Sequence, residues 1–124
     1  MGGNPKYDLE ERTAKFGEAI IDFARTTPKT PITTILITQL VRSATSIGAN
    51  YCEADDAESA NDFKHKIGIC KKESRETKHW LRMMVKTCPE LKNLATNLWI
   101  EAKELNLIFN AIIRSANKNN RIRN

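Results

Sequence analysis

The sequence is poor in the residues that interrupt a helix or tie a small fold together. Its 124 residues include only five glycines and four prolines, and aromatic residues make up 6%. The cysteines Cys52, Cys70 and Cys88 are odd in number and far apart. With no CxxC pair, and with only His65, five residues before Cys70, that close to any of them, they do not form a zinc motif. They read as reduced, small apolar side chains of a cytoplasmic protein. No segment approaches the roughly 20 apolar residues of a membrane span, so no membrane contact is expected. The opening MGGNPKYDLEER lacks the apolar core of a signal peptide. Gly-rich phosphate loops, HExxH and GxSxG are all missing. The only histidines are His65 and His79. Glu76-x-x-His79 matches half of a bundle di-iron site, but the second half is absent. No convergent reactive group forms, so the expectation is no enzyme, no catalytic residue, no cofactor and no metal.

What is present favours helices. Leu, Ile, Ala, Lys and Glu dominate, hydrophobic residues make up 40% and charged residues 28%. The length suits one domain with a real core. Two breaks contain proline, TTPKTP (Thr26 to Pro31) and CPE (Cys88 to Glu90), and an acidic stretch, EADDAES (Glu53 to Ser59), makes a third. They leave helical segments at about 8–25, 33–53, 60–87 and 90–116, followed by a basic tail, 117–124, expected to fray. Asp8 is the expected first N-cap, and Ser59 with Asp62 resembles a capping box.

Apolar residues recur at helical spacing in every segment. Leu9, Phe16, Ile20 and Phe23 mark the first, and Leu36, Leu40, Ala44, Ile47 and Tyr51 the second. Phe63, Ile67, Cys70, Ser74, Thr77, Leu81 and either Met84 or Val85 mark the third. In the fourth, Leu91, Ala95, Leu98, Ala102, Leu105, Phe109, Ile112 and Ala116 alternate steps of four and three. Four long helices with short loops predict an all-α, antiparallel up-down four-helix bundle in a single domain, 1–124.

The third segment carries more than a core line. Lys64, Lys71, Arg75, Lys78, Arg82 and Lys86 fall close to one line on a helical wheel, a stripe about 33 Å long at ~1.5 Å per residue. Together with the net charge of +5 and pI of about 9.2, the stripe suits a phosphate backbone of RNA or DNA. The alternative is a solvated face with acidic partners on the second or fourth segment. No aromatic residue interleaves the stripe on its own helix, which gives no support for base stacking. Ile69, Trp80 and Met83 lie off both lines, as does Trp99 on the fourth segment. Two apolar sectors per helix predict a subunit interface formed by these residues; the alternative is a broad core contact.

The second segment, QLVRSATSIGANYCEA, carries a polar line of Gln39, Arg42, Ser43, Ser46 and Asn50. If the second and third segments pair through EADDAES, Asn50 falls near Phe63, Ser46 near Ile67 and Ser43 near Cys70. Arg42, if buried, needs a carboxylate, and Glu73 and Glu76 are the candidates. The line is expected to be a hydrogen-bonded seam at a helix–helix or subunit contact, against the alternative of an exposed polar flank.

These same blocks resemble a bacterial family of four-helix bundle proteins encoded by intervening sequences in large-subunit ribosomal RNA genes, also labelled S23 ribosomal proteins. Its pattern, close to Q-L-x-R-S-A-x-S-I-x-A-N-x-x-E-G, is met by Gln39, Leu40, Arg42, Ser43, Ala44, Ser46, Ile47, Ala49, Asn50 and Glu53. A second block is met by Ser59, Asp62, Phe63, Glu73, Ser74, Arg75, Glu76, Thr77, Trp80 and Leu81. Ala54 departs from the pattern, standing where the family has a glycine resembling a helix C-cap, which suggests a different turn before Ser59. The resemblance covers about Tyr7 to Ala116 and implies a ring-like homopentamer with no known catalysis. The chain is also similar to pentameric accessory proteins of diversity-generating retroelements, which bind a reverse transcriptase and nucleic acid. Two functions follow as expectations: nucleic-acid binding through the basic stripe, or an adaptor role in which the bundle binds a protein partner.

Overall fold

The computed structural model describes the backbone of residues 5–123 and the side chains of residues 9–119. Four α-helices follow one another: α1 (Pro5–Thr26), α2 (Pro31–Asp55), α3 (Ala60–Thr87) and α4 (Lys92–Arg123), with a 3-10 turn at Pro89–Leu91 leading into α4. No strand occurs among the described residues.

The helix ends follow from local chemistry. Thr30 Oγ1 accepts from the Thr33 amide at 3.1 Å, and Thr33 Oγ1 accepts from the Thr30 amide at 2.8 Å. This reciprocal cap satisfies two amides that the first turn leaves unpaired, and Pro31 follows at a position where its missing N–H costs nothing. α2 therefore starts two residues before the expected Thr33. Ser59 Oγ accepts from the Asp62 amide at 3.0 Å and starts α3. α1 begins at Pro5 rather than at Asp8, which lies inside the helix. α2 runs through Ala54, 2% exposed in the core, to Asp55, so no C-cap is needed where the glycine is missing. Downstream, α4 continues to Arg123 through the stretch expected to fray, since NKNNRIR contains neither proline nor glycine; Asn124 lies outside the described residues.

Cross-helix pairs give the topology. Gly48 backs onto Thr13 between α1 and α2. Ser43 meets Thr77 between α2 and α3, and Lys71 meets Asn106 between α3 and α4. Further pairs, Gly17 with Thr45, Ile47 with Cys70 and Lys64 with Asn117, show positions rising along one helix as they fall along the next, so successive helices run antiparallel. α3 packs along both α2 and α4. α1 lies on α2 and is tied to α4 by Arg12, whose Nε and Nη2 donate to the two Glu101 carboxylate oxygens at 2.7 and 2.8 Å. Nη2 also reaches Glu104 at 2.8 Å. The core gathers Phe16 and Ile20 of α1, Leu40 and Ile47 of α2, Ile67, Leu81 and Met84 of α3, and Leu105 and Phe109 of α4. Burying each such side chain stabilises the fold by about 1.5–3 kcal/mol.

Two glycines in helix interiors differ in their surroundings. A Cβ on Gly48 would stand 3.3 Å from Thr13 Oγ1, whereas one on Gly68 would meet nothing within 4 Å. Gly68→Ala is expected to stabilise by about 1 kcal/mol through helix propensity, raising the melting temperature by a few degrees. Gly48→Leu is expected to destabilise by about 1–3 kcal/mol by overpacking the α1–α2 contact. Thermal melts that shift in the same direction for both variants would refute this account of the contact.

Candidate nucleic-acid interface

The polar line of α2 meets α3 through one guanidinium. Arg42 Nη1 donates to Glu73 Oε2 at 3.0 Å, Nη2 donates to Glu76 Oε1 at 3.1 Å, and Nε donates to Gln39 Oε1 at 3.1 Å. Glu73 is 4% exposed, and the Ser46 hydroxyl also bonds to it. Burial pushes the Glu73 carboxyl above its ordinary value, with a hydrogen bond to Glu76 adding to the rise; Arg42 and Ser46 act the other way. The bond from Glu73 holds Glu76 below its ordinary value, with help from Arg42. Below this cluster, Thr77 Oγ1 lies 3.0 Å from Ser43 Oγ, which donates to the Leu40 carbonyl at 3.1 Å. The Asn50 amide donates to the Ser46 carbonyl at 2.9 Å, inside its own helix.

The register differs from the expected one. Cys70 Sγ faces the Ile47 carbonyl at 3.5 Å, Ser46 bonds to Glu73 and Ser43 meets Thr77. Partners on α3 thus lie about one to two turns further along than expected; the two residues by which α2 outruns its expected end account for only part of that shift. Cys70 is buried, and its thiol is pushed up to about 12 by burial. Cys88 is buried too, but Cys52 is exposed, in contrast to the apolar setting expected of it.

The six cations of the stripe lie on the edge of α3 nearer α4. Arg75, Arg82 and Lys86 are exposed, and Lys64, Lys71 and Lys78 are half-buried. None of the six forms an ion pair among the described residues. Of the fourth-segment acids that could neutralise them, Glu101 and Glu104 are engaged by Arg12, and the acids of α3 itself, Glu73 and Glu76, by Arg42. Lys64 Nζ donates to Asn117 Oδ1 at 3.3 Å. Asn106, which the sequence pattern did not single out, donates to the Lys71 carbonyl at 2.8 Å and to Ser74 Oγ at 3.1 Å. Its place beside Leu105 of the apolar seam is the available signal, shared with Asn110 one turn on.

Trp99 modifies the expectation that no aromatic accompanies the stripe. Lys78 Nζ stands 5.4 Å from its ring centroid, and Lys103 Nζ stands 5.6 Å from it. The ring comes from α4, so the wheel of α3 alone does not contain it. Of the residues expected at a subunit interface, Trp80 and Trp99 are half-buried and pack against the core, while Ile69 and Met83 are half-buried. α3 has neighbours on two sides, so its apolar surface is wider than one line. Trp80 Nε1 is buried with no acceptor among the described residues, and His79 meets the ring edge-on at 4.9 Å. The large apolar side chains that do face outward include Ile32 and Ile35 at the start of α2, 61% and 66% exposed. No group of three His, Cys, Asp or Glu residues gathers among the described residues to hold a metal, and no described helix is long and apolar enough to cross a membrane.

An all-α bundle with a polar α2–α3 seam is the class these features define. A family model described as 23S rRNA-intervening sequence protein matches residues 6–111, and the chain belongs to that family. The chain is also similar to a crystal structure from Bacteroides thetaiotaomicron, described as a protein with unknown function from the S23 ribosomal protein family. The two share 28% identity over 88% of this chain and 97% of the other, with a TM-score of 0.80. Among curated proteins, none matches.

Arg42→Ala leaves Glu73 buried without its cation. With Arg42 46% exposed, the expected loss is about 1–3 kcal/mol, below the cost of breaking a fully buried pair. Glu73→Gln in the Arg42→Ala background is expected to recover part of it. The raised carboxyl of Glu73 also gives pH dependence. Above its unfolded value of about 4.5 the folded chain retains a proton that the unfolded chain has released, so this contribution falls as pH rises through the folded value. Denaturation from pH 4 to pH 7 should show the native chain losing stability relative to Glu73→Gln; a constant difference would refute the assignment.

Proposed function

We propose that this chain is a self-associating, non-enzymatic bundle that binds nucleic acid, RNA foremost, through the α3 edge carrying Lys64, Lys71, Arg75, Lys78, Arg82 and Lys86. The observation that carries this reading is charge segregation. Six cations lie along one helix edge without a paired carboxylate among the described residues, while Glu73 and Glu76 of α3 and Glu101 and Glu104 of α4 are held by Arg42 and Arg12. Unpaired surface cations release counterions from a phosphate backbone when they bind it. The family's description names 23S rRNA, which makes ribosomal RNA the first ligand to test. Cytoplasmic residence is part of this proposal.

Self-association is supported by a different surface. From Pro31 to Cys52, α2 contains a single charged residue, Arg42, and that residue is paired with α3. Its exposed positions include Ile32, Ile35, Thr38, Thr45 and Ala49. An uncharged helix face of this length suits burial against another chain. A second copy is the partner proposed here, in the ring of five that the resemblance implies; an adaptor role toward a different protein is the competing use of the same face.

Binding of a labelled RNA is expected to weaken steeply with salt, with a log–log slope near −4 if all six cations contact a single strand at about 0.7 per contact. Reversing Arg75 and Arg82 to Glu should weaken binding at least about tenfold and flatten that slope by about 1.4. Binding unchanged by the reversals would reject this edge. Sedimentation should give a particle several times the 14.1 kDa chain mass, and Ile35→Lys should reduce it without loss of helicity. A monomeric native chain would reject self-association.

A further inference from the structure

Beside the basic edge, α3 and α4 enclose a groove of about 390 Å³. Leu81, Val85 and Ala95 line it with apolar surface, Arg82 and Lys92 are its exposed cations, and Trp99 forms part of its wall. Lys78 Nζ and Lys103 Nζ stand 5.4 and 5.6 Å from the Trp99 ring centroid. Two cations therefore stand over one half-buried indole and two more line the groove it borders, none of them in an ion pair among the described residues. No carboxylate is among the described residues that line the groove.

We infer that Trp99 is a stacking platform for an unpaired base, and that the nucleic acid taken by this edge is single-stranded. The inference rests on the nucleic-acid reading above and narrows it. Cations alone attract duplex and single strand alike. An aromatic face set among them serves only a nucleotide whose base has left its own stack, because a duplex keeps its base faces covered. The groove offers both halves of what such a nucleotide presents: an apolar wall with a π face for the base, and Lys78, Arg82, Lys92 and Lys103 for the phosphates on either side. A base that settles on Trp99 displaces an ammonium from the ring. Stacking on a base exceeds a solvent-exposed cation–π contact, and the displaced ammonium then has a phosphate to pair with.

The test uses the full chain and fluorescence anisotropy with a ~12-nucleotide RNA and with the same strand in a duplex, at one salt concentration. The native chain is expected to favour the single strand about tenfold. Trp99→Leu should abolish that preference while leaving duplex affinity nearly unchanged, and Trp99→Phe, which keeps a ring, should retain most of it. Circular dichroism melts of both variants check the fold, and the Phe variant keeps the test decisive if Trp99→Leu is unstable. Equal loss on both ligands, or no loss on either, overturns the inference while leaving salt-sensitive binding to the edge intact. Failure of the native chain to bind either RNA overturns the broader reading and this one with it. Trp99-dependent binding of a poly-glutamate peptide in place of RNA overturns both in favour of an acidic protein partner.

Discussion

A buried carboxylate is the constraint around which this bundle is arranged. Glu73 faces the α2–α3 contact almost without solvent, and a charge so placed is tolerated only with a cation and hydrogen-bond donors at hand. Arg42 supplies the cation from the opposite helix and Ser46 a hydroxyl. Because the guanidinium is a rigid fork, engaging Glu73, Glu76 and Gln39 together fixes the rotation and the register of α2 against α3. A hydrophobic seam alone would tolerate sliding by a turn; this fork does not.

The same arrangement shapes the outer surface. Holding Glu73 and Glu76 on the α2 side, and Glu101 and Glu104 on the α1 side, leaves the cations of the α3–α4 edge without an ion pair among the described residues. The positive edge is thus as much a result of where the carboxylates go as of where the lysines and arginines stand. Asn106 ties that edge inward by bonding to the Lys71 carbonyl and to Ser74, so the backbone bearing the cations is anchored to α4.

Much of the fold is legible in the sequence because a helix records its buried face as a spacing. Phe16, Ile20, Leu40, Ile47, Leu81 and Phe109 are all read correctly as core from the 3–4 pattern alone. What spacing cannot record is the relation between helices. The α2–α3 register comes out one to two turns away, because it is set by pairs between the two helices, such as Ser43 with Thr77 and Arg42 with Glu73. Trp99 is legible as an off-seam aromatic but not as the neighbour of Lys78, since the two belong to different helices. The Thr13–Gly48 contact is hidden for the same reason. Trp80 reads as surface from its angle on the wheel, yet it is half-buried, because α3 has two neighbours where a wheel suggests one.

The exposed cysteine adds a chemical property to the uncharged flank of α2. Cys52 Sγ lies 4.0 Å from Glu10 Oε1, and its pKa is raised by partial burial, with the negative charges of Glu10 and Asp55 adding to the effect. The thiolate is the species that attacks disulfides and electrophiles, and here it is suppressed at neutral pH. A lone sulfhydryl of this kind is slow to crosslink. A disulfide through Cys52 is disfavoured at neutral pH by the same suppression.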